Sequence, residues 1–227
     1  MDSPTRRINE SGRVEMNILI GQPKMEQDLM QLKGEIESNP TVDLILYPEG
    51  YCTYRELDEL SDLAIQFDTT IVLGYRDDTN KDRVLIVNKN GETLLTRRKT
   101  PENEGLFMPS SATDGAEEYG YLLCREIFMG VEGLKDHEHL TIIFNPIGVG
   151  MFSEEQFTEW TEEARKIAME RKAMIIGTSH ADGSYRNCGI SIPIAYCFDE
   201  NGEEVFLSKN DTRTRVLETD SRVTTFV

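Results

Sequence analysis

Short, uninterrupted apolar runs recur along this chain, and segments with helical spacing separate them. Residues 16–22, 42–47, 70–74, 119–124, 141–144 and 173–178 are such runs. Each is too short for a buried helix, and none alternates polar with apolar. A strand that is apolar on both sides must be covered on both faces, as parallel strands beneath helices are. The intervening segments supply the cover. Residues 25–37 carry Met25, Leu29, Leu32 and Ile36 at helical spacing, and residues 56–67 carry Leu57, Leu60, Ala64 and Phe67. Residues 153–171 are the best helix, with Phe157, Trp160, Ala164, Ile167 and Ala168 as the buried stripe and Ser153 with Gln156 as a capping box.

Two hairpin signals interrupt this alternation. Residues 84–87 and 92–96 flank Asn88-Lys89-Asn90-Gly91; residues 189–198 and 205–207 flank Asp199-Glu200-Asn201-Gly202. Strand–helix alternation with hairpins implies an α/β fold, a mixed sheet system covered by helices. The same turn type in each half hints at two pseudo-symmetric halves. Residues 100–118, punctuated by Pro101, Gly105, Pro109 and Gly115, read as a loop. Residues 1–15 are polar and aperiodic, a disordered or extended segment, and residues 16–227 read as a single domain.

Composition excludes some partners. The net charge of −17 repels nucleic acid and anionic membranes. No apolar run approaches the roughly 20 residues that span a bilayer, and no apolar core follows the N-terminal Arg6-Arg7, so the expectation is a cytoplasmic protein. The four cysteines have no Cys-x-x-Cys spacing, which fits reduced thiols.

Three reactive side chains each sit at the end of a predicted strand. Glu49 follows Leu44-Ile45-Leu46-Tyr47-Pro48, Lys99 follows residues 93–98, and Cys124 closes residues 119–124. Strand ends meet at a sheet edge, so a carboxylate, an ammonium and a thiol converge there as base, oxyanion partner and nucleophile. Lys99 would favour the thiolate, and the N–H of Arg125 would be a second oxyanion donor if the chain turns sharply after Cys124. Taken singly, each has a plainer reading: an inert buried thiol, a capping carboxylate, a solvated lysine.

Glu49 in Tyr-Pro-Glu-Gly-Tyr, Lys99 in Arg-Arg-Lys-Thr and Cys124 in Leu-Leu-Cys-Arg-Glu, in that order, resemble the three signatures of the nitrilase (carbon–nitrogen hydrolase) superfamily. Flanking segments agree: Ile20-Gly21-Gln22, Asn90-Gly91, Asn145-Pro146, Trp160 with Ala164-Arg165, and Gly189-Ile190-Ser191. The resemblance covers about residues 16–220. It implies a four-layer α-β-β-α sandwich, commonly paired as a homodimer. It implies cleavage of a non-peptide carbon–nitrogen bond of a small amide through a cysteine thioester, with no metal or organic cofactor. Transfer of the acyl or carbamoyl group to another acceptor, or a non-catalytic member binding a metabolite or partner, are the alternatives. The resemblance also implies a second glutamate after the lysine, for which Glu104 is preferred and Glu102 is the alternative; the segment from Lys99 to Cys124 is compact for the family.

Tyr54, Phe152 and His180 are candidate pocket residues, although aromatics near strand ends are also plain core, as Tyr119 can be. His137 and His139 flank Glu138 without a third ligand at suitable spacing, so they read as a polar loop rather than a metal site. Cys52 lacks an evident base and reads as a structural thiol.

Overall fold

The structure is a computed structural model that describes residues 15–26 and 28–227. The expected N-terminal segment, residues 1–15, therefore lies outside the described residues except for Glu15.

In chain order the elements are β1 (Asn17–Ile20), α1 (Met30–Ser38), β2 (Leu44–Leu46), β3 (Cys52–Thr53), α2 (Leu57–Phe67), β4 (Thr70–Arg76), β5 (Asp82–Val87) and β6 (Thr93–Arg98). They continue with β7 (Ser111–Asp114), β8 (Glu117–Tyr121), α3 (Gly130–Gly133), β9 (Ile142–Ile147), α4 (Glu154–Arg171), β10 (Met174–Ser179), β11 (Ile194–Phe198), β12 (Glu204–Lys209), β13 (Arg215–Glu218) and β14 (Thr224–Phe226). A 3-10 turn over Tyr54–Glu56 precedes α2, and another over Cys124–Met129 precedes α3.

One sheet has the order β14-β13-β1-β2-β4-β5-β6, with β3 alongside β4; the other has the order β12-β11-β10-β9-β8-β7. Strand pleating explains why the apolar runs are continuous. Ile18, Ile20, Leu44, Leu46 and Val72 face Tyr119, Tyr121, Phe144 and Ile176 across the gap between the sheets. Their neighbours Leu19, Ile45, Ile71 and Leu73 point the other way, onto Leu32 and Ile36 of α1 and Leu60 and Ala64 of α2. Ile143, Ile175, Tyr196 and Phe198 likewise meet Trp160, Ala164, Ile167 and Ala168 of α4. The result is the expected α-β-β-α sandwich, with a separate apolar layer at each of its three junctions.

Several boundaries differ from the sequence reading. Residues 100–118 are not all loop, since β7 and the start of β8 form an antiparallel hairpin there. Strand β7 lies at the sheet edge and is half covered, so it carries Ser111, Thr113 and Asp114 around the single buried Ala112. Helix α1 starts at Met30 rather than at Met25, after the positive-φ residues Asp28 and Leu29. The capping box at α4 is half made: Gln156 N–H donates to Ser153 Oγ, but the Gln156 side chain accepts from Phe152 N–H instead of Ser153. Strands β13 and β14 had no periodic signal; β13 covers the edge of β1, pairing Asn17 with Glu218 and Ile20 with Arg215.

Candidate active site

Strand β2 ends at Leu46, but the chain stays pinned to β4. Tyr47 N–H donates to Val72 O, Gly74 N–H to Pro48 O and Tyr51 N–H to Gly74 O, at 2.9–3.2 Å. Gly74 is required for this close approach, because a Cβ there would lie 2.8 Å from the Glu49 Cα. The Glu49 carboxylate is thereby delivered, almost fully buried, to the end of the sheet.

Lys99 follows β6 and is held from both sides. Its N–H donates to Asp82 O at 3.0 Å, and the N–H of Thr100 donates to Glu126 Oε1 at 2.7 Å. Its ammonium donates to Glu49 Oε1 at 2.6 Å.

Cys124 begins the 3-10 turn after β8 with φ +53°, a left-handed backbone for a residue with a side chain. Such a conformation costs on the order of 1–3 kcal/mol and persists only where the surroundings impose it. Here they do. Leu123 N–H donates to Glu126 Oε2 at 2.7 Å, and the Asn145 amide donates to Leu122 O at 2.6 Å and Cys124 O at 3.0 Å. Asn145 Oδ1 accepts in turn from Trp160 Nε1 and Tyr196 OH, so its orientation is dictated from four sides. The thiol that this turn aims lies beside the Glu49 carboxylate, the Lys99 ammonium and the Gly148 N–H, each of which acts on its ionisation. Gly148 cannot be larger without conflict, since a Cβ would fall 2.6 Å from Glu49 Oε2 and 2.5 Å from the Tyr185 ring.

The electrostatics follow from enclosing these groups. Burial raises the Glu49 carboxyl above its ordinary range; Lys99 opposes that, and Asp82 adds to it. Burial pushes the Cys124 thiol up to about 12, aided by the Glu49 charge and resisted by Lys99 and the Gly148 N–H. Burial pulls Lys99 down, yet Cys124 and Glu49 outweigh it and the ammonium is held firmly protonated. Lys99 does lower the thiol, as the sequence reading expects, but burial and the Glu49 charge outweigh it, so the thiol rests neutral beside Glu49.

Glu126 is the site residue that sequence reading missed. It is buried and forms a two-point ion pair with Arg97, at 2.8 and 2.7 Å, besides accepting from Leu123 and Thr100. One carboxylate thus ties the Lys99 segment to the Cys124 turn. The available signal was Arg97 two residues before Lys99 and Glu126 two residues after Cys124.

The remaining candidates occupy other places. Glu104 is exposed in a turn closed by its N–H on Pro101 O. Glu102 pairs with the Arg125 guanidinium at 2.5 Å on the surface. Tyr54 lies largely exposed on the 3-10 turn after β3, and Phe152 is exposed just before α4. His180 is fully buried, 3.0 Å from Glu49 O through Nε2 and 3.3 Å from Pro23 O through Nδ1, and stacked on Tyr185. It braces the Glu49 backbone. Burial lowers it to about 4, so it is neutral at physiological pH. His137 bonds Ser111 and Glu118, and no group of three or more His, Cys, Asp or Glu among the described residues is disposed to hold a metal. No helix among them is long and apolar enough to cross a membrane.

No family model matches the chain, and no curated protein matches it significantly. Solved structures do. Saccharomyces cerevisiae Nit3, described as a member of branch 10 of the nitrilase superfamily, superposes with a TM-score of 0.70 over 92% of each chain at 13% identity. A carbon–nitrogen hydrolase from Helicobacter pylori G27 gives 0.69 over 89% of this chain and 88% of that one at 15% identity. The amidase from Nesterenkonia sp. AN1, in its complex with butyramide, gives 0.68 over 91% and 92% at 13% identity. At these identities the likeness is one of fold: this chain has the nitrilase-superfamily fold.

Proposed function

We propose that this protein is a nitrilase-superfamily hydrolase that cleaves the carbon–nitrogen bond of a small amide through a thioester on Cys124. One observation carries the reading: a buried carboxylate, Glu49, is shared between the Cys124 thiol and the Lys99 ammonium, 2.6 Å away. A thiol pushed up to about 12 is a poor nucleophile unless a base takes its proton during attack. Glu49, with its affinity for protons raised by burial, is a base of suitable strength in contact with it.

Cys124 Sγ bonds to the amide carbon as its proton passes to Glu49. The carbonyl oxygen gains charge and is met by the Lys99 ammonium, with the Arg125 N–H as second donor. Glu49 returns the proton to nitrogen, the carbon–nitrogen bond breaks, and ammonia or an amine leaves a thioester. Glu49 then takes a proton from water, whose oxygen attacks the thioester. Collapse releases the carboxylic acid and the thiol regains its proton. No cofactor enters any step. Amide is preferred to nitrile because an amidase, seen with butyramide bound, is among the structural neighbours. A homodimer and a cytoplasmic setting belong to the same proposal.

The neighbouring folds support the reading: one structure of the Nesterenkonia amidase carries the acetamide moiety of fluoroacetamide added covalently at its active site cysteine. The test is ammonia release from a panel of small amides, followed with peptide mass analysis of Cys124. An acyl adduct on Cys124 that accumulates in Glu49→Gln, with turnover lost in Cys124→Ala, is the expected result. Turnover surviving in Cys124→Ala, or a chain that releases ammonia from no amide and whose Cys124 alkylates no differently from Cys52, would reject it.

A further inference from the structure

Asp82, the first residue of β5, is buried where the segments that build the site meet. Its carbonyl accepts from the Lys99 N–H at 3.0 Å. Its carboxylate accepts from Tyr185 OH at 2.7 Å, is ion-paired with Arg186, and lies 3.7 Å from Arg76, its cross-strand partner on β4. One residue thus holds the site lysine through its main chain and the segment after β10 through its side chain.

Tyr185 passes that hold on to Glu49. Its buried ring lies against Gly50 and Gly148. A Cβ would fall 2.2 Å from the ring at Gly50 and 2.5 Å from it at Gly148, where the same Cβ would be 2.6 Å from Glu49 Oε2. The ring also stacks on His180, whose Nε2 is 3.0 Å from Glu49 O. Arg186 and Asn187, which follow Tyr185, have φ of +56° and +54°. Left-handed backbone in residues with side chains persists only where the surroundings impose it, and Tyr185 and Arg186 both end on the Asp82 carboxylate.

The charged and titratable groups that interact with Glu49 are Lys99 after β6, Cys124, Tyr121 of β8, Tyr185 and Arg186 after β10, and His180, which is bonded to its carbonyl. Burial keeps both tyrosines protonated and His180 neutral. Asp82 is the acid that opposes ionisation of Glu49 and favours that of Lys99. Glu102 and Glu104, the acids that follow Lys99 in sequence, are exposed.

We propose that Asp82 is a positioning residue for both charged members of the site: it fixes Lys99 through its carbonyl, and through Tyr185 and Arg186 it holds the wall that covers Glu49. This rests on the amidase reading of that site. A carboxylate shielded from water beside a second carboxylate holds a proton more tightly, which suits Glu49 to receive the proton of Cys124.

The test follows the Glu49 carboxyl itself, by NMR titration of the full chain carrying a carbon isotope label at the glutamate side-chain carboxyls. The Glu49 signal is assigned by its loss in Glu49→Gln. Asp82→Asn removes the charge yet still accepts from Tyr185 OH; Tyr185→Phe keeps the charge and the ring but cuts the link. The Glu49 midpoint is expected to fall by about half a pH unit or more in Asp82→Asn, and to fall also in Tyr185→Phe as water reaches the carboxylate. For the amide of the panel that is turned over fastest, the acid limb of kcat/KM should move down by the same amount, with kcat lowered and KM little changed. An unchanged Glu49 midpoint in Asp82→Asn, with its melting temperature maintained, would overturn the proposal. Should Asp82→Asn not fold, an unchanged midpoint in Tyr185→Phe overturns it. A midpoint that falls as expected in a chain that turns over no amide supports the placement of Asp82 and rejects the amidase reading instead.

Discussion

The two halves of the chain are built on one plan. In the first, β1, β2 and β4 run parallel, and β5 and β6 return antiparallel; in the second, β8, β9 and β10 run parallel, and β11 and β12 return antiparallel. The match extends to details. Asn88 Oδ1 accepts from the N–H groups of Asn90 and Glu92, while Asp199 Oδ1 accepts from those of Asn201 and Glu203. Gly91 and Gly202 close the two hairpins at φ +77° and +76°, and each hairpin carries a register shift one strand residue before the turn.

What differs between the halves is the chemistry. Register pairs Ile20 with Leu46 in one half and Tyr121 with Phe144 in the other. Tyr47-Pro48-Glu49-Gly50 therefore corresponds to Asn145-Pro146-Ile147-Gly148. One turn presents a carboxylate; the other presents an apolar side chain and turns Gly148 N–H toward the thiol. The loops after β4 and β10 also diverge. The first closes in a few residues over Asp77–Lys81, whereas the second brings His180 and Tyr185 across to Glu49 and Asp82 of the opposite half. A duplicated scaffold thus carries an undivided site, with the charged pair from one half and the thiol and its supports from the other.

If this division is right, the halves should fail differently. Cys124→Ala removes the second half's contribution to chemistry, and turnover should drop by on the order of 10⁴-fold or more with the circular dichroism spectrum unchanged. Glu49→Gln removes the first half's base; a fall of roughly 10²- to 10⁴-fold in kcat is expected, with ammonia-release kinetics as the check. Wild-type kcat/KM should also fall on the acid side with a midpoint above the ordinary carboxylate range, because burial raises Glu49 and only its ionised form accepts the proton. A midpoint at or below that range would remove Glu49 as the base.

Glu126→Ala should uncouple the halves rather than disable either. It leaves Arg97 buried and unpaired, so a loss of about 3–5 kcal/mol in urea unfolding is expected. Asn145→Ala strips the Cys124 turn of its amide clamp and leaves Trp160 and Tyr196 without an acceptor, for about 2–3 kcal/mol. A neutral Asn145→Ala in the same unfolding assay would mean that the strained Cys124 backbone is held some other way.

The smallest effect is His180, the second half's brace on the first. Its folded value of about 4 lies below the unfolded reference near 6.5, so the unfolded chain binds more protons in that interval. Stability should therefore decline as pH falls from 6.5 toward 4, by up to about 1.4 kcal/mol per pH unit, and His180→Gln should flatten that part of the melting-temperature profile.

The layered fold and the three reactive groups were legible in sequence because they rest on local pattern. Strands such as Leu44–Leu46, buried on both faces, must be apolar at every position, and helices such as Glu154–Arg171 repeat their stripe every turn. Glu49, Lys99 and Cys124 stood out because each ends a strand-like segment. Strands β7 and β14 were not legible, since edge strands need little apolar surface and leave a weak period. Nor was the role of Glu126, an ordinary acid in sequence whose meaning comes from Arg97, Leu123 and Thr100 arriving around it. The state of the thiol was likewise decided by tertiary structure. Which residues can react is a property of their side chains, but how the charge of Lys99 is divided between the carboxylate and the thiol depends on distances of a few ångströms between strands far apart in the chain.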